Sequence, residues 1–117
     1  MNLEKLCKIA NTCVQCPLHE SRTNVVFGEG PENAQIMLVG EAPGKNEDET
    51  GKPFIGMAGR LLSEILHEAD LNRSQVYITS IVKCRPEDNR KPKKPEYSTC
   101  IDLYLKKQIE LIDPDII

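Results

Sequence analysis

Gln35-Ile36-Met37-Leu38-Val39 is a nearly continuous apolar run that breaks at once into Gly40-Glu41-Ala42-Pro43-Gly44. A short apolar run between turn residues reads as a central strand buried on both faces. The segment that leaves its end, Gly40 to Pro53, carries three Gly, two Pro and four acids, and predicts a loop with no regular element. Val76 to Val82 (VYITSIV), β-branched and apolar, repeats the arrangement. It is followed by Lys83 to Pro95, which has three Pro and no periodicity.

Between the two runs, Ala58, Leu61, Leu62, Ile65, Leu66 and Ala69 recur at the spacing of an amphipathic helix and predict one buried face. Upstream, Leu3, Leu6, Cys7 and Ala10 share a helical face, Asn11 to Thr23 is loop-like, and Asn24-Val25-Val26-Phe27 reads as a short strand before Gly28-Glu29-Gly30-Pro31. Downstream, a helix is expected from Pro95, a first-turn proline, to Ile112, with Ile101, Leu105, Ile109 and Ile112 on one face. Asp113-Pro114 ends it, and Asp115-Ile116-Ile117 reads as a third strand beginning.

Strands alternating with helices predict an α/β fold, a parallel sheet with helices on both faces. Ligands of such sheets bind outside the carboxyl ends of the strands. The loops 40–53 and 83–95 both leave those ends and are expected to face each other across one crevice. A strand just entering at the chain's end predicts a portion of a larger domain.

The chain has 117 residues, 39% apolar and 28% charged, enough for one domain or part of one. No apolar run approaches the roughly 20 residues of a membrane span. The start, MNLEKLCKIA, lacks a secretory apolar region. Membrane and secreted readings fall away together, leaving a cytoplasmic, intracellular expectation. The net charge is −3, yet Lys83 to Lys94 holds six Lys or Arg against Glu87 and Asp88, a local +4 on a body of −7. A basic stretch on an acidic body suggests an oriented contact with a polyanion, and a solvated loop is the plainer alternative.

An odd count of five cysteines in an intracellular chain points to metal or catalysis over disulfides. Cys13-Val14-Gln15-Cys16 is a C-x-x-C pair, and Cys84 and Cys100 supply a distant second pair. That set fits either a zinc ion held by four thiolates or an iron–sulfur cluster, with buried unligated thiols as the bland alternative. Cys7 sits on the apolar face of the first helix and reads as a core residue or a spare thiol.

Gly40-Glu41-Ala42-Pro43-Gly44 is not a phosphate loop. Gly51-Lys52 is followed by Pro53, and neither P-loop nor dinucleotide spacing is met. With Glu41, Glu47, Asp48 and Glu49 it suits a neutral base or a cationic transition state better than a pyrophosphate. Phe54, at the loop's end, is placed either to stack on a base or to anchor in the core. His19 and His67 show no partner pattern.

These residues resemble a known family. Gly40–Asp48, then Gly51-Lys52-Pro53-Phe54-Ile55-Gly56 and Ala58-Gly59-Arg60-Leu61-Leu62, are similar to the first signature of family 4 uracil-DNA glycosylases. Val76 to Pro86, with Asn89-Arg90, is similar to the second block, and Cys13, Cys16, Cys84 and Cys100 match the four iron–sulfur ligands in order and spacing. The resemblance covers essentially the whole chain.

It implies a DNA-repair hydrolase that removes uracil from an extruded nucleotide, on a three-layer α/β/α sandwich with a central parallel sheet. Residues 1–117 would be the N-terminal portion of that single domain. A [4Fe–4S] cluster of structural role is implied, with zinc as the alternative. By the resemblance, Gly40, Glu41 and Ala42 line the uracil and water site, Phe54 stacks on the base, and Glu41, Glu47 and Asn89 position water or stabilise a cationic sugar. Lys83, Arg85, Arg90 and Lys91 would hold the DNA backbone.

Ser80 stands where the family block commonly has an Asn that reads the uracil edge, so selectivity is expected to change or to lie elsewhere. Ala42 cannot act as a base. The family's later signature carries a histidine with no counterpart before Ile117, so these 117 residues alone are expected to be inactive or nearly so. The implied partner is uracil-containing DNA, with a monomer expected, no membrane, and a replication or repair protein as a further partner. A non-catalytic nucleic-acid-binding module held by a cluster or zinc is the alternative function.

Overall fold

The computed structural model describes residues 1–117. The central pair of strands, β1 (Met37–Gly40) and β2 (Tyr77–Ser80), is parallel and in register from Met37↔Tyr77 to Gly40↔Ser80. Single bridges widen it on either side, Ile36↔Ile116 in parallel beside β1 and Glu29↔Ile78 antiparallel beside β2. The apolar runs are strands because both faces are covered. Met37 and Tyr77 point into a cluster with Leu3, Leu6, Phe27, Tyr104 and Leu105. Ile78, with Ile36 and Leu38, points the other way, against Leu62 and Leu66. Helices α1 (Leu3–Asn11), α4 (Lys94–Cys100) and α5 (Lys106–Ile112) thus lie on one side of the sheet, and α3 (Gly56–Glu68) on the other. This is the expected α/β/α layering. Ile116 joins the sheet as the incipient third strand.

Four expectations are corrected. Asn24–Phe27 is not a strand; it runs as irregular chain, with Val26 N donating to the Lys83 carbonyl (2.7 Å), and the pairing falls two residues past it, at Glu29. The stretch 40–53 is not wholly loop, because Lys45–Thr50 forms α2. Its breakers lie at the ends: Gly51, at φ +75°, caps the C-terminus, and Glu47 accepts from the Gly44 N–H at the start. The C-terminal helix is interrupted by a π-helical turn, Ile101–Leu105, between α4 and α5. That extra residue per turn moves the buried positions to Cys100, Tyr104, Leu105, Gln108 and Ile112, leaving Ile101 and Ile109 half-buried.

Finally, α3 does not bury its whole apolar stripe. Only Gly59, Leu62 and Leu66 turn inward, while Ala58 and Ala69 are exposed, as are Leu61 (58%) and Ile65 (56%). The rotation of α3 is set by Gly59, whose Cα lies so close to the Phe54 carbonyl that a Cβ there would stand 2.1 Å from its oxygen. No helix is long and apolar enough to cross a membrane.

Candidate functional site

The parallel register brings Gly40 and Ser80 side by side at the carboxyl ends of β1 and β2. There the chain opens a cavity of about 240 Å³ lined by Ala42, Pro43, Gly44, Glu47, Phe54 and Ser80. Phe54 closes one wall. Its backbone is left-handed (φ +47°), a conformation that costs a non-glycine residue about 1–2 kcal/mol. The edge of its ring abuts Gly40, where a Cβ would meet two ring carbons at 2.6 and 2.7 Å. Glycine at 40 is therefore what lets an aromatic plane stand beside the strand end.

Glu47 braces the opposite wall. One carboxylate oxygen accepts from Gly44 N and the other from Ile55 N, each at 2.9 Å, so the residue before α2 and the residue before α3 are tied to one side chain. Asp48, buried, accepts from Thr23 N (2.8 Å) and Asn24 N (3.2 Å) and fastens this loop to the N-terminal segment. The N–H groups of Glu41 and Ala42 donate to no carbonyl of the chain, which leaves two donors at the strand end.

A second cavity, about 300 Å³, lies between Glu41 and Ile81 on one side and Lys91, Pro92 and Tyr97 on the other. The two loops therefore do meet, through Glu41 and Lys91. Other members of the expected set stay apart. Asn89 stands exposed on a 3₁₀ turn, its Oδ1 accepting from Arg85 Nε at 2.8 Å, and neither residue lines either cavity. Arg90 forks onto the buried Glu96 at 2.8 and 2.9 Å, an arrangement that holds the Glu96 carboxyl below its ordinary range. Its guanidinium is committed to the protein and is not a free phosphate contact.

Lys83 is the clearest correction to the basic set. It is 1% exposed and points inward, its Nζ donating to Thr79 Oγ1 (2.7 Å) and to the Ser80 carbonyl (2.5 Å). Burial pulls its ammonium down to about 7, with Cys100 acting the other way. The chain bends directly after β2 and buries Val82, Lys83 and Cys84 in succession, so the lysine is carried inward instead of out to solvent. Lys83→Met is expected to leave the salt dependence of DNA binding unchanged, whereas Arg85→Ala should reduce its log–log slope by roughly one. Anisotropy titrations of a labelled duplex at several salt concentrations read both.

The cysteines behave as a set. Cys13, Cys16, Cys84 and Cys100, drawn from the α1–β1 connection, the end of β2 and α4, all line one enclosed cavity, with Ala10, Leu103 and Tyr104 as its apolar walls. Cys7 lies outside it. Burial pushes the thiols of Cys16 and Cys84 up, and that of Cys100 up to about 11, Lys83 partly opposing the last shift. No three His, Cys, Asp or Glu side chains are grouped closely enough to hold a single metal ion. The thiols surround a space instead of a point. Arg22 reaches over them, Nη1 donating to the Cys13 carbonyl (2.6 Å) and to Cys84 Sγ (3.3 Å). A soft donor set in an apolar enclosure, with a hydrogen bond to sulfur and two cations alongside, fits a thiolate-bound cluster.

Sequence reasoning missed Arg22, Asp48 and Arg73. Arg22 carries a weak signal, a basic residue shortly after a C-x-x-C pair. Asp48 and Arg73 carry none, since each works through backbone groups that the sequence does not place.

A family model for the uracil DNA glycosylase superfamily matches residues 27–117. The chain belongs to that superfamily. The matched region holds both strands, the cavity and Phe54. Among its relatives are the type-4 uracil-DNA glycosylase of Thermotoga maritima, 52% identical over 105 residues, and that of Sulfurisphaera tokodaii, 50% identical over 117 residues. These alignments cover 90% and 99% of this chain but 54% and 53% of those proteins. The chain spans about half the length of the curated glycosylases it matches. A DNA polymerase of Bacillus phage SP01 is 39% identical over 101 residues, 86% of this chain and 11% of the polymerase.

Proposed function

We propose that this chain carries the base-binding crevice and the thiol centre of a uracil-DNA glycosylase, and forms the N-terminal portion of its single domain. Such an enzyme hydrolyses the N-glycosidic bond of deoxyuridine in DNA, releasing uracil and leaving an abasic site. The observation that carries this reading is the Phe54 ring set edge-on against Gly40 at the carboxyl ends of two parallel strands, lining a cavity open to solvent. The crevice takes one extruded pyrimidine, its face on Phe54 and its edge toward Ser80 and the free N–H groups of Glu41 and Ala42.

Water attacks C1′ as uracil leaves as an anion, and the sugar between them becomes cationic. Ala42 offers no base, so this chain contributes electrostatics. The Glu41 carboxylate at the rim stabilises the cationic sugar, and the strand-end N–H groups stabilise negative charge on the leaving base. Glu47 braces the wall, and Asn89 with Arg85 belongs to the outer DNA-facing loop beside Lys91. Cys13, Cys16, Cys84 and Cys100 hold a [4Fe–4S] cluster that clamps the N-terminal segment to the sheet. Zinc, the alternative, needs four sulfurs within about 2.3 Å of one centre. The substrate is uracil-containing DNA, and the protein works as an intracellular monomer.

The similarity to a stretch of a phage DNA polymerase favours a second reading, in which the same unit serves as a non-catalytic DNA-binding module attached to, or partnered with, a replication or repair protein.

The test joins these 117 residues to the part of the Thermotoga maritima glycosylase that they do not match, and assays strand cleavage at uracil after alkali. The chimera is expected to release uracil, and the 117 residues alone to be nearly inactive. Phe54→Ala and Glu41→Gln should each lower the rate at least tenfold, the loss of one stacking or one charge contact of about 1.4 kcal/mol or more. An inactive chimera beside an active intact relative favours the binding-module reading, and full activity in both variants overturns the site assignment.

A further inference from the structure

We propose that Arg73 is a positioning residue for the base-stacking ring, an inference that rests on the assignment of Phe54 as the platform for uracil. Arg73 stands far from the crevice in sequence and does not line it. It occupies a 3₁₀ turn (Arg73–Gln75) just before β2, rigid in its own right because Asn72 and Gln75 cap each other. From there its guanidinium forks onto two consecutive carbonyls, Nη1 donating to Phe54 O at 2.5 Å and Nη2 to Pro53 O at 2.8 Å. The Glu29 carboxylate lies 3.8 Å behind it, and Glu29 is itself fixed to β2 by two backbone hydrogen bonds with Ile78.

The geometry explains an anomaly. Phe54 has a left-handed backbone without being glycine, and such residues persist only where their surroundings over-determine them. Two carbonyls held by one planar fork, with Gly59 packed beneath the second, supply that constraint. The turn can present its ring to Gly40 only while both carbonyls face away from the crevice, toward β2. A lysine carries the same charge but offers a single point and cannot reproduce the fork. The platform's tilt is thus set by β2, the strand that also carries Ser80, so the face and the edge of the base are read from one rigid element.

NMR of the 117-residue chain tests this, with Arg73→Lys and Arg73→Gln as variants. In the unaltered protein, couplings across the hydrogen bonds from Arg73 Nη to the carbonyl carbons of Pro53 and Phe54 are expected. The Gly40 α proton that faces the ring edge should be shifted downfield by the ring. Both variants should lose more than half of that shift while keeping the cross-strand contacts of β1 and β2. Their affinity for a deoxyuridine oligonucleotide should fall roughly tenfold, the scale of one stacking contact. Missing couplings in the unaltered chain, or an unchanged Gly40 shift in folded variants, overturn the proposal, and the first of these holds even if the variants do not fold. A displaced ring in the variants, with no response of the unaltered chain to uracil, upholds the positioning role and removes the uracil assignment.

Discussion

Gly59→Ala is expected to lower the thermal midpoint of the chain by roughly 10–15 °C, corresponding to a cost of about 3 kcal/mol. The added methyl would stand 2.1 Å from the Phe54 carbonyl oxygen and 2.7 Å from its carbon, so α3 must move away from the turn. Overpacking against backbone sits at the costly end because no rotamer change relieves it. Moving α3 also withdraws Leu62 and Leu66 from Ile36, Leu38 and Ile78. Gly40→Ala is a useful contrast, since its methyl meets the Phe54 ring, which can swing aside. That variant should unfold only a few degrees earlier yet displace the Phe54 ring, so calorimetry and oligonucleotide binding should separate the two glycines.

On the proposed cluster assignment, Cys84→Ser and Cys100→Ser should each strip the protein of iron. Iron and acid-labile sulfide measured after anaerobic purification should fall from about four per chain to less than one, while Cys7→Ser leaves both unchanged. The reason is geometric: Cys84 and Cys100 line the shared cavity with Cys13 and Cys16, and Cys7 does not. Chelation of the unaltered protein should likewise lower its stability, because ligands from three segments are then released together. Burial raises the thiols of Cys16 and Cys84, and that of Cys100 to about 11, so without metal these three stay protonated beside Arg22 and Lys83. Stoichiometric zinc in place of iron would replace the cluster assignment.

The layering was legible in the sequence because two short apolar runs with breaker-rich ends admit few alternatives. Both runs are strands, they pair in parallel, and the crevice opens where they stop. The convergence of Cys13, Cys16, Cys84 and Cys100 was also legible, as a spacing pattern. What misled was surface and edge. Lys83 reads as part of a basic loop, but the bend after β2 buries it between Val82 and Cys84, where Thr79 and the Ser80 carbonyl receive its ammonium. Arg90 reads as free, yet a glutamate six residues on accepts from both of its terminal nitrogens. The stripe on α3 was taken as one buried face because periodicity reports amphipathicity and not the rotation of a helix, which here is fixed by a single glycine contact. The braces Glu47, Asp48 and Arg73 act on backbone N–H and carbonyl groups, and such partners leave no trace in residue type.

The most direct test of the central claim is a titration of isotopically labelled chain with two single-stranded oligonucleotides that differ only in carrying deoxyuridine or deoxycytidine at one position. The account predicts that the amides of Gly40, Glu41 and Ala42, the Phe54 ring and Ser80 shift with deoxyuridine and not with deoxycytidine, while Arg85 and Lys91 shift with both. Equal responses to the two strands, confined to the basic loop with the crevice silent, would contradict it.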